Sequence, residues 1–121
     1  MSKKKTLVLG ASDNPSRYSY LAIHKLRQYG HPVVAIGRKK TNVADVPVEN
    51  ETLPYNDVHT VTLYMNPVHQ QEFYNYILSL HPQRIIFNPG TENDELERLA
   101  RKNDIATTEA CTLVMLGTNQ Y

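Results

Sequence analysis

The chain predicts an α/β fold: a Rossmann-like, doubly wound parallel sheet of about five strands, with helices on both faces in three α/β/α layers. Three observations carry that prediction. Short apolar runs recur along the chain, and most are closed by glycine, proline or asparagine. Between them lie segments whose apolar residues return at helical spacing. The strand ends hold glycine, proline and polar residues instead of further apolar ones. Strands that alternate with helices pair in parallel, because each helix must cross back over the sheet to start the next strand. At 121 residues, the chain is expected to form one domain over residues 1–121. A domain of that size buries roughly two-thirds of the surface its unfolded chain exposes.

The elements follow in order. Leu7, Val8 and Leu9 form the first apolar run, which stops at Gly10. Tyr18, Ala22, Leu26 and Tyr29 share a helix face, and Gly30 supplies its stop. Residues 33–36 (Val-Val-Ala-Ile) form the second strand, ending at Gly37. Residues 38–57 are polar and carry Pro47 and Pro54, so they read as an irregular connection with a short strand near 46–48. Residues 58–65 resume as a strand up to Asn66-Pro67. Phe73, Ile77 and Leu80 then mark one face of a helix that His81-Pro82 ends. The fourth strand is Arg84-Ile85-Ile86-Phe87, closed by Asn88-Pro89-Gly90. Capping residues at 91–94 precede a helix with Leu96, Leu99 and Ala100 on one face. A fifth strand is expected at 105–107 and a terminal helical turn or two at 111–116.

Composition narrows the function classes. A formal net charge of +1 provides no global pull toward nucleic acid or a membrane surface, so neither is an expected partner. No stretch approaches the ~20 apolar residues of a membrane span. Ser2-Lys3-Lys4-Lys5 resembles the start of a secretory signal. However, only residues 6–9 separate it from Gly10, where ~7–15 apolar residues would be needed. The single cysteine, Cys111, precludes an internal disulfide. These features fit a cytoplasmic protein, and a homodimer is compatible with so small a domain.

In a doubly wound sheet, ligands bind outside the carboxyl ends of the strands, where strand order reverses. The turn after the first strand, Gly10-Ala11-Ser12-Asp13-Asn14-Pro15, leads into a helix. Free loop amides and the helix dipole would favour an anion there, the dipole by roughly 0.3–1 kcal/mol. It is not a Gly-x-Gly-x-x-Gly fingerprint, since Ser12 and Pro15 stand where glycines belong. Ser12, Ser16 and Ser19 are each candidates to bind phosphate or to cap the helix. The second strand ends in Arg38, Lys39 and Lys40, where an NAD site needs a carboxylate for the ribose hydroxyls. Those cations match a ribose phosphate, which both NADP and coenzyme A carry.

The chain resembles the stand-alone members of the coenzyme A-binding domain family, similar to the N-terminal half of the succinyl-CoA synthetase alpha subunit. Three motifs carry the resemblance: Val8-Leu9-Gly10-Ala11-Ser12-x-x-Pro15-x-Arg17-Tyr18-Ser19, Tyr64-Met65-Asn66-Pro67, and Phe87-Asn88-Pro89-Gly90-Thr91-Glu92-Asn93. The resemblance implies that the Ser12–Pro15 turn and Arg17 hold the pyrophosphate, with Lys39 near the nucleotide phosphate. It further implies that Met65, Asn66 and Pro67 line the adenine side and that Asn88, Pro89 and Gly90 border the pantetheine arm. The chain departs from the family pattern at Gly37-Arg38-Lys39, where Asn-Pro-Lys is usual, and at Asn88, where glutamine is common.

No constellation for catalysis emerges. The five histidines stand at least seven residues apart, without metal-ligand spacing. Glu92, Asp94, Glu95 and Glu97 cluster at a helix start, where they balance the dipole. Cys111 is the one candidate nucleophile, and a buried small hydrophobe is its ordinary role. There is no Tyr-x-x-x-Lys pair. The expected function is therefore non-catalytic binding of coenzyme A, an acyl-CoA or a related nucleotide-type small molecule. One alternative is an NADP-dependent oxidoreductase-like protein. The other is an interaction module with a degenerate nucleotide pocket, working through a tyrosine face that includes Tyr18, Tyr20, Tyr74 and Tyr76.

Overall fold

In the computed structural model, which describes residues 2–121, the backbone runs β1 (Thr6–Ala11), α1 (Tyr18–Gln28), β2 (Val33–Gly37), β3 (Thr41–Val43), β4 (Val46–Glu49) and β5 (Thr60–Leu63). It continues through α2 (Pro67–Gln70), α3 (Tyr74–Ser79), β6 (Arg84–Phe87), α4 (Asp94–Lys102), β7 (Ala106–Glu109) and α5 (Thr112–Gly117). The strands form one sheet in the order β3-β4-β2-β1-β5-β6-β7. Among the described residues, only the β3/β4 pair is antiparallel.

The sheet has seven strands, not about five. The two additions are β3 and β4, a hairpin in the stretch read from sequence as mostly irregular. Its turn, Ala44-Asp45, places Ala44 at φ +55° without the Asn-Gly or Gly that ordinarily announces such a turn. Pro47 sits opposite Asn42, while Val43, Val46 and Val48 are buried. The third predicted strand contracts to Thr60–Leu63. The helix expected through Phe73, Ile77 and Leu80 is broken into α2, a 3₁₀ turn over Gln71–Phe73, and α3.

Side chains alternate across the strands, which places a core on each face of the sheet. Leu7, Leu9, Val61, Leu63, Ile85 and Phe87 pack on one face with Ile77 of α3 and Leu96 and Ala100 of α4. Val8, Ala35, Val48 and Ile86 pack on the other with Ile23 and Leu26 of α1 and Leu116 of α5. This is the three-layer arrangement expected. Strand order reverses at β1, with β2 on one side and β5 on the other, so the switch point lies beside Gly10.

Candidate functional site

A crevice of about 890 Å³ opens at the carboxyl ends of β1, β2 and β5, bounded by Gly10, Gly37 and Tyr64-Met65-Asn66, with Pro89 and Thr91 from beyond β6. Two glycines let the strands converge there. Gly10 is a bulge between the pairings Leu9↔Ile36 and Ala11↔Gly37, with φ +96°. A Cβ on it would lie 3.0 Å from the Tyr64 carbonyl carbon. At Gly37 a Cβ would fall 2.2 Å from the Ala11 carbonyl oxygen, a separation no side chain tolerates.

The Ser12–Arg17 turn is wired to itself. The Ser12 amide donates to Ser19 Oγ (3.1 Å), the Asn14 amide to Ser12 Oγ (3.1 Å), and the Ser16 amide to Asn14 Oδ1 (3.0 Å). The Arg17 amide donates to the Asn14 carbonyl (3.0 Å). The expectation of several free loop amides is thus corrected for these four, three of them held by short polar side chains and the fourth by a backbone carbonyl. None of the three serines caps α1. Arg17 occupies that position and, among the described residues, makes no side-chain cap bond, and the first turn holds no acid. The positive end of the α1 dipole therefore faces the crevice uncompensated, beside the Arg17 guanidinium.

The walls carry three cations, Arg17, Arg38 and Lys39, against the carboxylates of Asp13 and Glu72. Asp13 accepts a hydrogen bond from Thr41 Oγ1 (2.9 Å) and pairs with Lys39 Nζ (3.3 Å). The Thr41 bond first and Lys39 second hold its carboxyl below the usual value. Lys40 turns away to Glu49 at 3.7 Å.

Of the residues singled out from sequence, Gly10, Ala11, Ser12, Asp13, Arg17, Arg38, Lys39, Met65, Asn66 and Pro89 meet in this crevice. Asn14, Pro15, Pro67, Asn88 and Gly90 do not line it. Asn14 is the hub of the turn. Pro67 is the first residue of α2, whose cap is Asn66 Oδ1 accepting from the His69 amide (3.0 Å). The Gly90 amide is held by Glu92 Oε1 at 2.9 Å. Asn88 is buried and spends its amide inside the protein. It donates to Thr62 Oγ1 (2.7 Å) and the Leu63 carbonyl (2.9 Å), and accepts from the Thr112 amide (2.9 Å). It therefore ties β5, β6 and α5 together.

Sequence reasoning missed a second bracket. Gln70 is fully buried and donates to the carbonyls of Met65 (2.9 Å) and Thr91 (2.8 Å), while its Oε1 accepts from Asn93 Nδ2 (2.8 Å). It fixes two crevice walls to the α4 cap. A fully buried glutamine in a polar helix start carries no local signal. Thr41 and Asn50, also crevice residues, belong to the stretch read as irregular, and His69 and Phe73 to a helix expected as continuous but broken by the 3₁₀ turn. Outside this site, Asp94, Glu97 and Glu109 lie together, with Arg101 answering Glu97 at 2.7 Å.

A pocket of about 360 Å³ adjoins the crevice, walled by Tyr18, Tyr64, Asn88, Pro89, Cys111, Leu113 and Val114. Burial pushes the Tyr64 phenol up to about 12, opposed by the nearby hydroxyls of Thr62 and Thr112.

A doubly wound sheet with a cationic switch-point crevice and a glycine-permitted close approach defines a nucleotide-binding type of protein. The chain belongs to the CoA binding domain family, whose model matches residues 4–117. It is 49% identical to an uncharacterized protein of known crystal structure over the full length of both chains, with a TM-score of 0.97. A hypothetical protein from Pyrococcus horikoshii OT3 has the same fold at 20% identity (TM-score 0.86, covering 96% of this chain and 83% of that one). So does a Thermus thermophilus protein at 19% identity (TM-score 0.85, 98% and 91% covered). No curated protein matches. Among the described residues, no helix is long and apolar enough to cross a membrane.

Proposed function

We propose that this chain binds coenzyme A or an acyl derivative in the switch-point crevice, as a non-catalytic carrier or regulatory protein. The observation that carries this reading is the convergence of Arg17, Arg38 and Lys39 with an uncapped, acid-free helix start in one crevice, in a chain of the CoA binding domain family. Arg17 and the first turn of α1 take the pyrophosphate, while Arg38 and Lys39 take the ribose phosphate. Met65 and Phe73 offer an apolar surface to the adenine. Lys39 must leave Asp13 to do so, and the 3.3 Å pair is exposed enough to exchange cheaply.

Thermal unfolding of the chain alone, with coenzyme A and with NADP tests the proposal. A ligand at 100 times its dissociation constant adds about 2.7 kcal/mol of stability. A rise with coenzyme A is expected, whereas a rise with NADP alone would favour the oxidoreductase-like alternative. No response to either would favour the interaction module. Lys39→Glu is expected to weaken coenzyme A by roughly tenfold or more while affecting dephospho-coenzyme A less. Equal losses would remove Lys39 from the ribose phosphate.

A further inference from the structure

We infer that the pocket walled by Tyr18, Tyr64, Cys111, Leu113 and Val114 receives the acyl chain of a thioester, so that the protein distinguishes acylated from free coenzyme A. The inference rests on the binding reading above and adds the class of ligand to it. Tyr18, Tyr64 and Pro89 wall both spaces, so the two adjoin and a single ligand can reach into both. The two spaces differ in chemistry. The crevice holds five charged side chains, whereas the pocket holds none. Its one amide, on Asn88, is spent on Thr62, Leu63 and Thr112. An anionic group entering there would lose water without meeting a cation, whereas a methylene chain loses nothing by the transfer. The Tyr64 hydroxyl, buried without a partner among the described residues, leaves a donor for a single neutral acceptor such as a thioester carbonyl.

The mouth points the same way. Tyr18 is 70% exposed and Val114 60% exposed, unusually high for large apolar side chains at the rim of a cavity. A chain lying between them would cover both. The volume of about 360 Å³ suits a short or medium acyl group. The ligand is thus read as an anionic head with an apolar tail.

Isothermal titration of the full chain with coenzyme A, acetyl-CoA and hexanoyl-CoA tests this. Affinity is expected to rise along the series, by at least about tenfold from acetyl to hexanoyl. Val114→Asp, an exposed substitution compatible with folding, should abolish that gain and change the affinity for unacylated coenzyme A by less than about twofold. Val114→Asn should reduce the gain without adding charge. Coenzyme A binding with no gain from the acyl chain overturns the inference and leaves the proposed function standing. So does a gain that survives in both variants. Failure of all three ligands to bind overturns the proposed function itself, and the acyl site with it.

Discussion

The two ends of the parallel sheet are closed in opposite ways. At the amino ends, the buried Thr6 and Thr60 and the half-buried Arg84 begin β1, β5 and β6 and meet the buried His31 and Tyr121 in a polar cluster. Tyr121 Oη bonds Thr6 Oγ1, Arg84 Nε donates to Thr60 Oγ1 (2.8 Å), and the Arg84 guanidinium lies 4.4 Å from the centre of the Tyr121 ring. The His31 ring packs 4.9 Å from the same ring. At the carboxyl ends, glycines remove side chains and the loop satisfies itself with serine and asparagine, leaving the crevice between the strands. Apart from the bulge at Gly10, the difference lies in which side chains follow the strands. One end is filled with aromatic and guanidinium bulk, while the other keeps its bulk out and its cations exposed. The first should govern stability and the second should govern binding.

The sharpest way to break that division is to fill the open end. Gly37→Val puts atoms where the Ala11 carbonyl already lies, 2.2 Å from the new Cβ. We expect a loss of more than about 3 kcal/mol, or failure to fold, measured by urea denaturation. An unchanged midpoint would mean that β1 and β2 do not close as described. Gln70→Ala should cost about 2–3 kcal/mol, because it strands the Met65 and Thr91 carbonyls and leaves the Asn93 Nδ2 with Tyr74 Oη alone. It should also weaken coenzyme A binding, since two crevice walls lose their tie.

How much of this was legible in the sequence depends on whether the signal was local. β1, β2, β6, α1 and α4 were legible because apolar runs and caps lie next to one another in the chain. Asn93, for instance, accepts from the Leu96 amide at the start of α4. The short strand expected near 46–48 is β4, but β3 and the hairpin they form were not legible, because each is only a few residues long: β3 is defined by pairing with β4, and β4 by pairing with β2 across the sheet. At the site, Gly10, Arg17 and Lys39 stood at recognisable strand ends and did converge. Apart from the Gln70 bond to Met65, Gln70 and Asn88 act through bonds to residues 21 to 26 positions away, so nothing beside them in the chain announces the role of either. The amino-end cluster was equally hidden, since Thr6 and Tyr121 stand 115 residues apart.

The filled end predicts a pH dependence of moderate size. His31 Nδ1 accepts from the Lys4 amide at 3.0 Å, so the ring proton sits on Nε2, which is buried without a partner among the described residues. Burial first, then Lys3, Lys4 and Arg84, lower the His31 pKa, and burial and Arg84 lower that of His59. The unfolded chain therefore binds more protons once pH falls below the ordinary histidine value of about 6.5. Stability should be constant above that point, fall as pH drops through it, and keep falling toward the folded-state values. Urea midpoints at pH 7.5 and 5.5 check this. His31→Asn, which keeps an acceptor for Lys4, should flatten the slope, and an identical slope would move its origin away from His31.

The smallest effect separates the two ends most cleanly. Asp13→Asn removes the carboxylate that competes with a ligand phosphate for Lys39, while an amide oxygen remains to accept from Thr41. The side chain is part-exposed (35%) and its partner Lys39 is open to solvent, so the urea midpoint at neutral pH should stay within error of the parent. Coenzyme A affinity should rise about two- to threefold at low salt, with the gain fading as salt screens the crevice. A shifted midpoint with unchanged affinity would make Asp13 a structural tie of the β3 hairpin, and the open end would then share the stabilising role assigned to the closed one.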